Sequence, residues 1–351
     1  MSRILVISPS GKLYGSESVL FDYLTNSRLN PHVYVPENSD LQKKLTEAGG
    51  SYIVKTYNPA KLPAFYIKLF IHLLMRRYKS VYVNEAGHVK YILLLAKYFH
   101  KVRFTVHVRM IEDTAPYRWK MANNHLPENL RVVSISNYIS NLLTFSNQMV
   151  PDPFIFSDRH HNVIYEQGKS FNVGIIGRVT LTKGIELLLL LLDEISHRGA
   201  GDTFTFHLFG ELSKDLPSAV ISRLQNNSNV VLHGYVKGTE NIYDKLHAVM
   251  HLSRVEALGR IFFESVDHGL PFIGLKAAGI GEIADLYQYN ELMVKSGTDI
   301  EIAKGLFDAL TALVNKYHVH KDCILKLKSK MAVNMSVKDY SSKIDKILND
   351  H

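Results

Sequence analysis

The stretch Ser253-Arg254-Val255-Glu256-Ala257-Leu258-Gly259-Arg260-Ile261-Phe262-Phe263-Glu264-Ser265-Val266-Asp267-His268-Gly269-Leu270-Pro271 decides the reading of this chain. An apolar run, Val249 to Leu252, leads into it and Gly-Leu-Pro closes it, so the expected order is strand, tight loop, helix, turn and next strand. With a helix beginning near Gly259, the N–H groups of Leu258 to Phe262 point into the loop that holds Glu256, which is a ready anion site. The small residues Ala257 and Gly259 let an anion approach the backbone. If all the intervening residues were helical, Glu256 and Glu264 would lie roughly 12 Å apart. That is too far to chelate one ion and suits opposite ends of an extended ligand, such as one with hydroxyls at both ends and a diphosphate between. Taken alone, the same spacing also fits a surface helix with solvated glutamates.

Upstream, Asn172-Val173-Gly174-Ile175-Ile176-Gly177-Arg178-Val179-Thr180-Leu181-Thr182-Lys183-Gly184 reads as a strand and loop, with a helix from Ile185. Arg178, Lys183 and the helix N–H groups would gather at one strand edge. Two fixed cations there can neutralise a diphosphate leaving group without a metal, because they stand where negative charge grows. An ordinary solvated loop is the plainer alternative.

Taken together, Glu256 and Glu264 with seven residues between them, Gly269-x-Pro271 after them and the upstream Gly177-Arg178-x4-Lys183-Gly184 resemble the motifs of retaining glycosyltransferases of the GT-B fold. The match is most similar to glycosyltransferase family 4 (group 1). The resemblance implies an α/β chain of two Rossmann-like domains facing each other across a cleft, with the C-terminal helix returning to the N-terminal domain. It implies an acceptor domain over 1–160 plus a helix at about 337–351, and a donor domain over 161–336. It also implies metal-independent, retaining transfer from a nucleotide diphosphate sugar, with no cofactor. Carried over residue by residue, Arg178 and Lys183 bind the diphosphate with help from Leu258, Gly259 and Arg260. Glu264 holds the ribose, Glu256 positions the sugar, and Tyr235 and Val236 frame the nucleobase. Ala277-Ala278-Gly279-Ile280-Gly281-Glu282 resembles the family's G-G-x-P-E loop with Gly281 in place of proline, so Glu282 either meets the donor sugar or caps a helix.

The first half alternates strands and helices. Arg3 to Ser8 reads as a buried strand, Pro9 to Gly15 as a turn and Ser16 to Leu24 as a helix capped by Ser16. In the family the loop holding Gly15 approaches the sugar and acceptor, although Gly15-Ser16-Glu17 lacks the usual paired glycine. The strand Arg103 to Val108 carries His107, and Arg109 follows; by resemblance His107 lines the cleft and contacts the donor sugar or acceptor, and Arg109 fits a common variant of that motif at the sugar and acceptor, while a lone strand histidine is otherwise structural. Ser136 is expected to cap the helix after the strand around Val132.

Charge separates the halves. Residues 1–160 hold 20 Lys+Arg against 11 Asp+Glu, or +9, whereas residues 161–351 hold 21 against 22, or −1. A basic first half points to an anionic partner. No nucleic-acid motif accompanies it, so nucleic acid is not expected. Two readings fit Lys61 to Lys79, with its Phe, Tyr, Leu and Ile interleaved with Lys68, Arg76, Arg77 and Lys79. It is a helix lying on an anionic membrane surface, or a crossover helix with a basic C-terminal turn.

The resemblance, together with the basic first half, implies as acceptor a glycan or lipid-linked precursor of lipopolysaccharide, capsule or exopolysaccharide. Residues 150–170, with Pro151, Pro153 and Gly168, read as an interdomain linker. One cysteine, Cys323, excludes an internal disulfide, and no targeting or membrane-spanning segment is read, so a cytoplasmic protein with peripheral membrane contact is expected. A nucleotide-sugar epimerase and a non-catalytic nucleotide-sugar-binding protein remain as alternatives on the same fold.

Overall fold

A computed structural model describes residues 4–122, 125–158, 164–238 and 240–349. Contacts divide the chain into two compact units, one of residues 1–155 with 335–351 and one of residues 156–334. The sequence boundary at 160 thus moves to 155, where the extended segment after Val150 still packs with the first unit. The helix Val337–Asn349 belongs to that unit as well, lying on the helix Gly15–Asn26.

The first unit is built on β1 (Ile4–Ile7), β2 (His32–Pro36), β3 (Ile53–Tyr57), β4 (Ser80–Val83), β5 (Arg103–Val108), β6 (Leu130–Ser134) and β7 (Gln148–Met149). They pair in the order β3-β2-β1-β4-β5-β6-β7, all parallel. β1 and β4 are buried along their whole length, which requires their continuous runs Ile-Leu-Val-Ile and Ser-Val-Tyr-Val. The first helix begins one residue earlier than Ser16. Its N-cap is Tyr14, whose N–H donates to the Glu17 carboxylate at 3.2 Å, and the Ser16 hydroxyl bonds the same oxygen. A buried glutamate at the third position satisfies the free amide more directly than Ser16 could. Ser136, in contrast, does cap its helix, accepting from the Ile139 N–H at 3.1 Å.

The second unit carries β8 (Phe171–Ile176), β9 (Phe204–Phe209), β10 (Val230–Gly234), β11 (Ala248–His251), β12 (Phe272–Leu275) and β13 (Met293–Val294). The order is β10-β9-β8-β11-β12-β13, again all parallel. Helix Ile185–His197 buries Leu187, Leu188, Leu191, Leu192 and Ile195 against this sheet's core, a 3–4 spacing that a run of leucines supplies. In each sheet the chain reverses its direction of growth between two adjacent strands, β1 and β4 in the first and β8 and β11 in the second. Ligands of open α/β sheets bind at the carboxyl ends of such a strand pair.

Candidate functional site

At the β8/β11 reversal two loops meet. The first, Gly177 to Gly184, is shaped by Thr180, whose hydroxyl accepts from the Lys183 N–H at 3.1 Å and closes the turn Leu181–Lys183. The second leaves β11 through Ser253. The buried Ser253 hydroxyl bonds the Thr182 carbonyl at 3.1 Å and its own loop's Val255 carbonyl at 2.9 Å, which stitches the two loops together.

This stitching brings Lys183 Nζ to 2.6 Å from Glu256 Oε2. His251, the last residue of β11, lies with Nε2 3.3 Å from the same oxygen. Burial would push the Glu256 carboxyl up, but His251 and Lys183 together outweigh it and hold it down at about 2. Glu256 is therefore an anion across the physiological range. Arg178 is exposed beside them, and Gly177, Arg178, Thr180, Lys183 and His251 line one small pocket.

The backbone of the Glu256 loop is held from the other side by the loop after β12. The Gly279 N–H donates to the Glu256 carbonyl at 2.9 Å. A Cβ on Gly279 would stand 2.4 Å from the Ala257 carbonyl oxygen, so this close approach requires glycine. Gly259 is the N-cap of the helix Arg260–Asp267 with φ of 80°, and a Cβ there would meet Ile280 at 2.3 Å. Glycine is needed here for both conformation and space. The small residues that the sequence pointed to as anion approaches thus also weld two strand-end loops to each other.

Helix Arg260–Asp267 starts where the sequence placed it, but the Phe262 N–H is taken by the Gly259 carbonyl at 2.9 Å. That corrects the outer limit of the expected amide cradle, leaving Leu258, Gly259, Arg260 and Ile261. Leu258 itself is buried, so only its backbone can serve a ligand. Glu264 lies one turn into the helix, and Tyr243 donates its hydroxyl to Glu264 Oε2 at 2.9 Å. Burial raises the Glu264 carboxyl above its usual range, while Tyr243 and the Arg260 charge pull it back. Tyr243 is fully buried and stacks on His268 with ring centroids 4.0 Å apart, which fixes the phenol.

Tyr235 is 74% exposed, and it and Val236 follow the edge strand β10, two strands from β8. Glu282 lies inside the helix Ala278–Tyr287, whose N-cap is Ala277, so it is not a capping residue. In the first unit Gly15 is the first residue of the helix Gly15–Asn26 rather than the last of the turn before it.

His107 and Arg109 need correction. His107 is fully buried, with Nδ1 2.8 Å from the Tyr82 hydroxyl and 3.2 Å from Arg109 NH2. Burial and the Arg109 charge push its imidazole well below the ordinary value, so it is a neutral core group. Arg109 is buried too: Nε donates to the Asn84 carbonyl at 3.0 Å, NH2 to the Tyr340 hydroxyl at 2.8 Å, and NH1 pairs with Asp152. Neither side chain can touch a sugar in this arrangement. The strand end suggested the cleft, yet residues two apart on a strand share a face, and the face that His107 and Arg109 share is covered by Tyr82, Tyr340 and Asp152 from distant parts of the chain.

Sequence reasoning passed over three residues. His251 sits as the polar member of the apolar run Val249 to Leu252, a signal that was readable. Ser253 and Tyr243 gave none beyond their types. Among the described residues no group of three or more His, Cys, Asp or Glu could hold a metal ion.

Comparison with known proteins fits this geometry. Residues 170–313 match the family model described as glycosyl transferases group 1. The solved structure of Anabaena Alr3699/HepE in complex with UDP and glucose is similar over 100% of both chains, with a TM-score of 0.76 at 15% identity. A glycosyltransferase from Rickettsia africae ESF-5 is similar over 100% of this chain and 99% of that one, with a TM-score of 0.71 at 15% identity. The lipopolysaccharide outer core galactosyltransferase WaaB in its apo form is similar over 98% of each, with a TM-score of 0.71 at 12% identity. No curated protein matches in sequence. The architecture is GT-B.

Proposed function

We propose that this GT-B chain, whose second unit carries a group 1 glycosyltransferase domain, transfers a sugar from a nucleotide diphosphate sugar to an acceptor with retention and without a metal ion. The observation that carries the reading is the meeting of Lys183 and Glu256, with Arg178 beside them, at the β8/β11 strand ends. Cations at a strand edge suit a diphosphate, and a carboxylate held ionised suits sugar hydroxyls, which it receives as hydrogen-bond donors. In this reading Arg178 and Lys183 bind the diphosphate and stabilise it as it leaves. The backbone N–H groups from Leu258 to Ile261 assist, since they stand at the N-terminal end of a helix, whose dipole favours an anion. Glu264, oriented by Tyr243, accepts from the ribose hydroxyls, and the loop of Tyr235 and Val236 faces the base. The HepE structure, in complex with UDP and glucose, supports a uridine nucleotide as the first donor to test.

Thermal-shift measurements with UDP, GDP, ADP and CMP, each with and without chelator, test the donor site. A ligand at a hundred times its dissociation constant stabilises by about 2.7 kcal/mol. Stabilisation by UDP that survives chelator and is lost in Arg178→Ala is the expected result. No stabilisation by any nucleotide, with no heat of binding in a titration, would overturn the reading.

The acceptor reading is a growing cell-surface glycan on a lipid carrier, with the first unit resting on the inner face of the membrane. Its support is the helix Leu62–Leu74, which turns Phe65, Tyr66, Leu69 and Leu73 inward and leaves Ile67, Ile71 and Leu74 exposed on one side. Lys68, Arg76, Arg77 and Lys79 are exposed around that apolar face. An apolar stripe bordered by cations matches the interface of an anionic bilayer. No helix among the described residues is long and apolar enough to cross a membrane. Co-sedimentation with phosphatidylglycerol vesicles at low salt is expected, and Ile67→Glu together with Ile71→Glu should abolish it. Equal sedimentation of both proteins would remove the membrane role of this helix.

A further inference from the structure

We propose that His251 is a positioning residue that keeps Glu256 in place once Lys183 turns away from it to the donor's diphosphate. The inference rests on the glycosyltransferase reading for the identity of the donor, while the contact itself belongs to the structure. Glu256 Oε2 has two cationic or potentially cationic neighbours, Lys183 at 2.6 Å and His251 at 3.3 Å. The two differ in what they are free to do. Lys183 is a long side chain, 42% exposed and at the mouth of the pocket that also holds Arg178. His251 is a shorter side chain on a buried strand and only 8% exposed.

A diphosphate arriving beside Arg178 competes with Glu256 for Lys183. If it wins, a largely desolvated carboxylate loses its nearest counter-charge, and an unpaired buried charge is costly. His251 removes that difficulty. Its Nε2 is buried and already stands 3.3 Å from Glu256 Oε2, so it can shorten that contact as Lys183 leaves. The lysine–glutamate pair is then the resting form of the site, and the histidine–glutamate pair is the form that meets the sugar. The charged and titratable side chains recorded at this place are Arg178, Lys183, His251 and Glu256.

The test reads the Glu256 carboxyl directly, by carbon-13 NMR titration of glutamate-labelled protein, with the signal assigned by its loss in Glu256→Gln. Lys183→Met imitates departure of the lysine. In that variant Glu256 is expected still to titrate below the ordinary glutamate value, held by His251. In Lys183→Met with His251→Phe it should titrate above it, since burial then acts unopposed. Identical titration in the single and double variants would overturn the proposal. This readout needs no glycosyl transfer, so it stands apart from failure of the donor reading, which the nucleotide measurements expose.

Turnover supplies the second arm. His251→Phe should lower kcat about ten- to a hundredfold through misplacement of Glu256, with a smaller change in donor KM. His251→Gln, which keeps an N–H near the Nε2 position, should restore most of it. Equal loss in the two variants, in proportion to a fall in melting temperature, would show a merely packing role and sink the proposal.

Discussion

Replacement of Glu256 by alanine is expected to reduce sugar transfer by about two to three orders of magnitude, the range seen when one preorganised group at a reacting centre is removed. Folding should suffer little by comparison. Lys183 is 42% exposed and can return to water when its partner goes, so the ion pair contributes less to stability than its 2.6 Å separation suggests. The Glu256 backbone would still be held by the Gly279 N–H. The sign of the pH dependence follows from the carboxyl's value of about 2, lowered from 4.5. Its contribution to stability is complete above the unfolded value and is lost as pH falls through the folded one. Between those values the wild type should lose stability on acidification more steeply than Glu256→Ala. Parallel initial-rate assays and melting curves check both parts. A large fall in melting temperature with transfer retained would show Glu256 to be a structural residue.

The largest effect on stability is expected at Arg109→Met. Burial disfavours the Arg109 charge, but Asp152, Tyr340 and Tyr82 outweigh it and raise the guanidinium above its ordinary value. Removing that charge leaves the Asp152 carboxylate, only 5% exposed, without its cation. Breaking a buried pair from one side costs about 3–5 kcal/mol. The variant also frees Tyr340, and with it part of the anchoring of the helix Val337–Asn349. Trp119, the chain's one tryptophan, is buried in the first unit, so its fluorescence during urea unfolding reports that unit specifically. Pairing Arg109→Met with Asp152→Leu should recover much of the loss, because no unpaired charge then remains. A cost below about 1 kcal/mol in the single variant, against the usual range for a buried pair, would mean that water reaches Asp152.

How much of this was readable depended on the kind of residue. Strand Arg103–Val108 and helix Ile185–His197 fell where the pattern put them, because each is a local alternation or a 3–4 run. Gly184 and Gly259 announced their helix starts, since few other residues fit a left-handed N-cap. Helix starts that depend on a side-chain partner were harder, as Glu17 taking the amide of Tyr14 shows. His107 and Arg109 were misread for a related reason. Their place at a strand end was legible, but what would cover the face they share was set by residues 152 and 340.

By itself the sequence determined that two α/β units follow one another and that Arg178, Lys183, Glu256 and Glu264 lie on segments leaving or following strands. Those facts depend on periodicity, glycine and proline, which act over a few residues. Only the tertiary structure decided that Lys183 and Glu256 touch, that His251 shares their oxygen and that Tyr243 orients Glu264. Likewise it decided that His107 and Arg109 belong to the core. The physical reason is strand order. Placing β11 beside β8 rather than beside β10 brings together loops 71 residues apart in the chain, and hydrogen bonds such as that of Ser253 to Thr182 then set the distances to within ångströms.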